Sequence, residues 1–230
     1  VDVMLAALWS KPVASLAWEI IESLLNGETW FRRDRAAFRT MAEELLPALS
    51  QARQGRTLKI WSAGCSNGQE AYSIALVILS MMPDAAKRDV RILASDIDPN
   101  MIQEGRIGQY PGQALTDVPP ELRKRWFRRA PGSADDWQVA DEVKDLVSFR
   151  ELNLFAKWPM QKKFDIVFCR NVVIYFDKGK QADLWGRFSG VLKPDGWLYI
   201  GHSERISGPA TDHFTCEGIT TWHHIKGSVR

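Results

Sequence analysis

A chain of 230 residues holds one α/β domain with a full core and a small appendage, which argues against two large domains. Apolar residues make up 45% and charged residues 25%, the balance of a soluble globular protein and not of a disordered one. A formal net charge of +2 argues against a nucleic-acid partner, and no run approaches the roughly 18 consecutive apolar residues of a membrane span, so direct membrane insertion is not expected. The first residues lack the basic, apolar and small-residue order of a signal peptide, which predicts a cytoplasmic location.

In chain order, residues 4–25 place Leu5, Leu8, Val13, Leu16, Ile20, Ile21 and Leu24 at helical spacing, predicting one or two amphipathic helices that stop at Asn26-Gly27. A further helix is predicted from Asp34 to about Ala52, with Phe38, Met41, Leu45 and Leu46 on its apolar side. From Leu58 onward, strand-like runs alternate with helical patterns, the signature of parallel strands joined by crossover helices. The predicted strands are Leu58–Ala63, Val90–Ser95, Val147–Leu152, Phe164–Cys169, Trp197–Gly201 and Ile219–Ile225, and the predicted helices are Gln69–Met82, Pro99–Arg106 and Lys178–Leu192. Lys193-Pro194-Asp195-Gly196 reads as a stop and turn after the last helix.

Some forty residues with Pro111, Pro119, Pro120 and Pro131 separate the second helix from the third strand, too many for an ordinary connection. An insertion is expected there, with Arg125–Arg129 and Trp137–Ala140 forming a small antiparallel hairpin. Two basic runs, Arg32, Arg33, Arg35 and Arg39, then Arg123, Lys124, Arg125, Arg128 and Arg129, each read as a solvated face; together they suit an acidic protein partner. Cys65, Cys169 and Cys216 are far apart and odd in number, so they read as reduced thiols.

The first strand runs into Gly64-Cys65-Ser66-Asn67-Gly68-Gln69-Glu70, which puts glycines and backbone N–H groups at the carboxyl edge of the sheet, where α/β folds bind ligands. The second strand ends in Ser95-Asp96-Ile97-Asp98; Asp98 reads as the cap of the helix opening at Pro99, and Asp96 as the carboxylate for ribose hydroxyls. The turn is not G-x-G-x-x-G and no second pyrophosphate-shaped glycine motif occurs, which points to an adenosine ligand without phosphates, and S-adenosylmethionine fits. Glu70 is available for its amino group and an arginine from the preceding segment for its carboxylate.

The fourth predicted strand ends in Cys169-Arg170-Asn171, which places Asn171 and Tyr175 toward the transferred methyl group, while Ile174 and Phe176 read as core. His202, His213, His223 and His224 lack metal-ligand spacing, so no metal is expected. Ser62, Ser66 and Ser203 have no evident histidine partner for nucleophilic hydrolysis.

Gly27-Glu28-Thr29-Trp30-Phe31-Arg32-Arg33, WSAGCSNGQEAYS at Trp61–Ser73, ASDIDP at Ala94–Pro99, ELNLF at Glu151–Phe155, FDIVFCRNVVIYFD at Phe164–Asp177 and LKPDGWLYIGHSE at Leu192–Glu204 together resemble the CheR family of chemoreceptor glutamate O-methyltransferases. The resemblance implies an S-adenosylmethionine-dependent, Rossmann-like methyltransferase sheet with helices on both faces. It also implies a helical segment and linker over residues 1–52, shorter than is usual in the family, a methyltransferase domain over 53–230, and a β-subdomain inserted at about 110–146.

In such enzymes Thr29 and Arg33 reach the cofactor, Glu70 and Asp96 hold its amino group and ribose, and Asn153 and Leu154 border the adenine. Arg170, Asn171 and Tyr175 lie near the sulfonium and the incoming glutamate, with Gly64, Arg170 and Asn171 among the cofactor-binding residues and Arg33 and Tyr175 as catalytic positioning donors. Arg32 stands where the family usually has a second phenylalanine, so either Arg32 or Arg33 takes the cofactor-facing place. The implied reaction converts S-adenosylmethionine to S-adenosylhomocysteine, and the implied partner is the cytoplasmic helical region of a membrane chemoreceptor, met by a monomeric enzyme. Two other classes fit the same residues: a silent cofactor-binding signalling module, and a methyltransferase of this fold with a small-molecule acceptor.

Overall fold

The computed structural model describes residues 57–82 and 89–225, together with Phe38, residues 40–42 and Ala85. In chain order the elements are β1 (Leu58–Ala63), α1 (Gln69–Met81), β2 (Val90–Asp96), α2 (Pro99–Ile107), β3 (Gln109–Pro111), α3 (Pro120–Trp126), β4 (Phe127–Arg129), β5 (Asp136–Val139) and α4 (Asp141–Lys144). They continue with β6 (Val147–Glu151), β7 (Phe164–Cys169), α5 (Lys178–Val191), β8 (Leu192–Ile200), β9 (Phe214–Gly218) and β10 (Thr221–His224).

Seven strands form one sheet in the order β6-β2-β1-β7-β8-β10-β9, in which only β10 runs against its neighbours. Because successive side chains point to opposite faces, each central strand feeds two cores. Ile60, Ile166 and Phe168 join the cluster that holds the apolar side of α1, whereas Trp61, Val167 and Cys169 join the one holding Leu184, Trp185 and Phe188 of α5. Both faces are therefore covered, and β1 and β7 are nearly continuous apolar runs for that reason. Phe38 and Met41 are fully buried in the α1-side core, as their place on an apolar helix face predicts.

The boundaries of α1, α2 and α5 fall within one residue of the expected ones, while the helices expected over residues 4–25 and, apart from Phe38 and residues 40–42, over 34–52 lie outside the described residues. Asp98 caps α2 by accepting from the Asn100 N–H at 2.8 Å with Pro99 in the first turn. Strands β3, β5 and β4 make a separate three-stranded antiparallel sheet. Its Arg125–Arg129 limb differs from expectation, because residues through Trp126 are helical and only Phe127–Arg129 is strand. Arg123 and Arg129 are not simply solvated: their guanidinium groups lie 4.2 and 4.4 Å from the Trp137 ring centroid, beside a cavity of about 500 Å³ that Lys124 and Arg128 also line.

Other expectations need correction. Residues 193–196 are a bulge inside β8: Leu192 pairs with Phe164, and Trp197 pairs with Ile166. The bulge is pinned because Lys193 Nζ bonds both oxygens of fully buried Asp165, at 2.9 and 2.8 Å. The expected strand Ile219–Ile225 is β10 alone, and Ile219 lies exposed in the turn joining it to β9, an edge strand the sequence did not announce. Val147–Leu152 stops at Glu151, and the Trp197–Gly201 strand starts at Leu192 and ends at Ile200. Ile174 is 44% exposed and is not core, whereas Phe176 packs edge-on against Phe155 at 4.8 Å. Among the described residues no helix is long and apolar enough to cross a membrane.

Candidate functional site

The strand order reverses between β1 and β7, and the turns after these two strands open at the same edge of the sheet as the ends of β2, β6 and β8. Such a switch point is where an α/β sheet leaves a crevice for ligands. Gly64, Ser66 and Gly68 have φ of 79°, 49° and 90°, so every second residue of the turn after β1 is left-handed. Glycine accepts this conformation readily, while Ser66 does so at a cost and is held by its N–H, which donates to Asp96 Oδ2 at 2.7 Å. The turn then enters α1, whose amino end opens at this edge of the sheet and takes no side-chain cap from Gly68.

Asp96 ends β2 directly beside that turn. Its second oxygen, Oδ1, accepts from the Asp98 N–H at 3.1 Å. Burial pushes this carboxyl up from the usual range, and backbone N–H groups pull the other way. Each oxygen still has capacity for another donor.

Glu70, in the first turn of α1, accepts from the Ser62 hydroxyl at 2.7 Å and pairs with Arg170 at 3.2 Å. Arg170 is buried, and its guanidinium stands 5.7 Å from the Phe38 ring, which ties the turn after β7 to the helical segment near residue 40. Asn171 follows with φ 59°, a conformation asparagine tolerates better than most residues. Tyr175 closes a single 3₁₀ turn, Val173–Tyr175, and is 59% exposed.

Beyond β6, Asn153 folds back so that Oδ1 accepts from the Phe155 N–H at 2.8 Å. The Leu154 side chain is buried in the α5-side core, and its carbonyl accepts from the Trp158 indole at 3.1 Å and from Arg187 at 2.5 Å. Thr29, Arg32 and Arg33 lie outside the described residues.

Two buried thiols border this edge. Burial, with Asp96 and Glu70 nearby, pushes Cys65 well up, and burial with Glu204 and Glu70 nearby does the same to Cys169. Both are therefore held as thiols and are poor nucleophiles. All three cysteines are free, as expected. Among the described residues no group of His, Cys, Asp and Glu could hold a metal ion.

The chain has counterparts among known proteins. Residues 27–222 match the family model for the CheR methyltransferase, SAM binding domain. The chain belongs to the CheR methyltransferase family. Its cofactor is S-adenosylmethionine, and its class is methyltransferase.

A probable chemotaxis protein methyltransferase of Rhizobium etli is 48% identical to it, over 92% of this chain and 80% of that one. Chemotaxis protein methyltransferases of Borreliella burgdorferi and Pseudomonas aeruginosa are 37% and 36% identical, over 83% and 85% of this chain and 68% and 72% of theirs. Among solved structures, the DszA carbon methyltransferase superposes with a TM-score of 0.46 at 18% identity, covering 72% of this chain and 35% of that one.

Within the CheR crevice the structure brings together Gly64, Glu70, Asp96, Arg170 and Asn171, and it adds two residues for which sequence reasoning offered no role. Ser62 is a fully buried partner of Glu70. Glu204, near the end of the GHSE stretch, is buried against the turn after β7. The available signal was a glutamate just past a strand end, which reads as a solvated loop residue until the neighbouring strand is known.

Proposed function

We propose that this chain transfers the methyl group of S-adenosylmethionine to glutamate side-chain carboxylates of a chemoreceptor-type protein, giving glutamate methyl esters and S-adenosylhomocysteine. The observation that carries the reading is the family match over residues 27–222, supported by the likeness to chemotaxis protein methyltransferases. The partner is the cytoplasmic helical region of a membrane receptor, and the enzyme works as a cytoplasmic monomer. The division of the chain follows the same reading: a helical segment over 1–52 and a methyltransferase domain over 53–230, the small sheet falling within the insertion at 110–146.

The residues at the switch point fit an adenosine-bearing ligand, because a half-buried carboxylate with spare acceptor capacity stands beside a glycine turn and a helix amino end. In this assignment Asp96 accepts the ribose hydroxyls, Gly64 shapes the turn, and Glu70, already steadied by Ser62 and Arg170, receives the amino group. Thr29 and Arg33 approach from the preceding segment, and Asn153 and Leu154 border the adenine. The cofactor supplies an activated methyl group. Arg170 and Asn171 bind the cofactor near its sulfonium, where the incoming glutamate meets it, and Arg33 and Tyr175 orient the incoming carboxylate.

A glutamate with a pKa of about 4.3 is already ionised at neutral pH, so no residue has to remove a proton from it. Catalysis then rests on alignment and on partial desolvation of the acceptor. The crevice is consistent with this, since Cys65 and Cys169 are held as neutral thiols. The basic cavity beside Trp137 supports an acidic protein partner.

The test is transfer of labelled methyl from the cofactor into membranes containing receptors of the same organism. Label released as methanol by mild alkali, and mapping to glutamates, is the expected result. Alkali-stable label on lysine, arginine or a nucleobase overturns the proposal, and so does binding of the cofactor with no transfer.

A further inference from the structure

Glu204 stands four residues beyond the end of β8 and is 3% exposed. Its described partners are backbone N–H groups. Oε1 accepts from Val172 at 3.0 Å and Val173 at 3.1 Å, Oε2 accepts from Gly201 at 2.5 Å, and the Asn171 N–H also contributes. Burial pushes its carboxyl upward, while these N–H groups pull it down.

A carboxylate that accepts several N–H bonds fixes the donors relative to one another, because each charge-assisted bond is short and directional. Here the donors lie just past two strand ends: Gly201 follows β8, and residues 171–173 belong to the turn leaving β7. The space between them is already full. A Cβ placed on Gly201 would lie 2.9 Å from Glu204 Oε2, 3.0 Å from Asn171 N and 3.1 Å from Asn171 Nδ2. From the other side Gln181 donates to the Val173 and Phe176 carbonyls at 3.0 and 2.9 Å. The left-handed Asn171 and the 3₁₀ turn that ends at Tyr175 are therefore clamped between Glu204 and Gln181.

We propose that Glu204 is a positioning residue for methyl transfer, whose buried carboxylate holds Asn171 and the Val173–Tyr175 turn in the orientation the acceptor side requires. The proposal rests on the methyltransferase reading, and Glu204 itself touches no reacting atom. It differs from a purely structural role in what it protects. Cofactor contacts at Asp96 and the glycine turn follow β2 and β1 and meet the clamp through the Val172 side chain beside Gly64, whereas the groups assigned to the acceptor hang from the very turn it clamps.

The experiment uses Glu204→Gln and Gly201→Ala in the full chain. Glutamine keeps the size but replaces one acceptor oxygen with a donor, and alanine leaves the carboxylate in place while driving a methyl group into the clamp. In ¹⁵N-resolved spectra the amide protons of Val172, Val173 and Gly201 should sit downfield in the parent protein and move upfield in Glu204→Gln. In both variants kcat per folded molecule should fall about 10- to 100-fold, while affinity for S-adenosylhomocysteine by calorimetry stays within about threefold.

Unmoved amide shifts overturn the proposal, and so do moved shifts with an unchanged kcat or a parallel loss of cofactor affinity. If Glu204→Gln does not fold, Gly201→Ala decides, and if neither folds Glu204 is a folding residue and the proposal fails. A parent protein that transfers no methyl to receptors sinks the acceptor reading alone, because the amide shifts still report whether Glu204 holds the turn.

Discussion

Gly64→Ala tests whether the turn after β1 is set by backbone shape and not by ligand contact. The new Cβ would lie 2.4 Å from Val172 Cγ2 and 3.3 Å from Cγ1, at a φ of 79°. An L-residue in the left-handed region costs about 1–2 kcal/mol. Forcing a methyl into an occupied space adds about 1–3 kcal/mol. Val172 cannot swing aside cheaply, since it is β-branched and its N–H is tied to Glu204 at 3.0 Å.

The expected loss is therefore about 2–5 kcal/mol, which in a domain of this size lowers Tm by about 5–20 °C. Adding Val172→Ala removes both Cγ atoms and relieves the crowding but not the φ strain. A double-mutant cycle followed by circular dichroism in urea and heat should return a favourable coupling of about 1–3 kcal/mol. A Gly64→Ala variant within about 0.5 kcal/mol of the parent refutes the backbone argument. Additive effects of the two substitutions refute the assignment of the clash to Val172.

Asp96→Ala should weaken S-adenosylhomocysteine binding by about 1.5–3 kcal/mol, the worth of hydrogen bonds to a charged group; unchanged affinity in calorimetry removes Asp96 from the ribose role. The same change strips acceptors from the Ser66 and Asp98 N–H groups, so the variant should also melt earlier, and binding has to be measured well below that transition. Tyr175→Phe should leave Tm unchanged, because the side chain is largely exposed, yet lower kcat more than cofactor affinity; equal losses in both would deny it an orienting role.

For His224, burial lowers the imidazole pKa, with Nδ1–H donating to the Lys193 carbonyl at 2.8 Å and Nε2 accepting from Ser189 at 3.1 Å. The unfolded chain then takes up this proton near pH 6.5 before the folded one does, so its stabilisation is complete above that pH and is lost as pH falls through the folded value. Urea midpoints between pH 7.5 and 5.5 should drop more steeply in the parent than in His224→Gln, and parallel profiles would contradict the assignment.

Sequence alone carried the central strands, because β1 and β7 are covered on both faces and must be apolar almost throughout, a pattern that survives without any partner information. It also carried the glycine turn, the Asp98 cap and the placing of Asp96 at a strand end, all of which depend on neighbours in the chain. Tertiary structure alone decided what depends on distant partners. Glu70 and Arg170 are 100 residues apart and meet only because β7 inserts beside β1. Glu204 is buried only because β8 brings it against the end of β7.

The same holds for the bulge at residues 193–196, which reads as a free turn until Asp165 draws Lys193 back to the sheet. It holds equally for β9, an edge strand with a single buried side chain, Phe214, and so no alternation to detect. Local pattern records the face a residue shows to its own element, whereas the charge pairs and clamps of this crevice arise from sheet order, set by the burial of whole strands and not by any one of their residues.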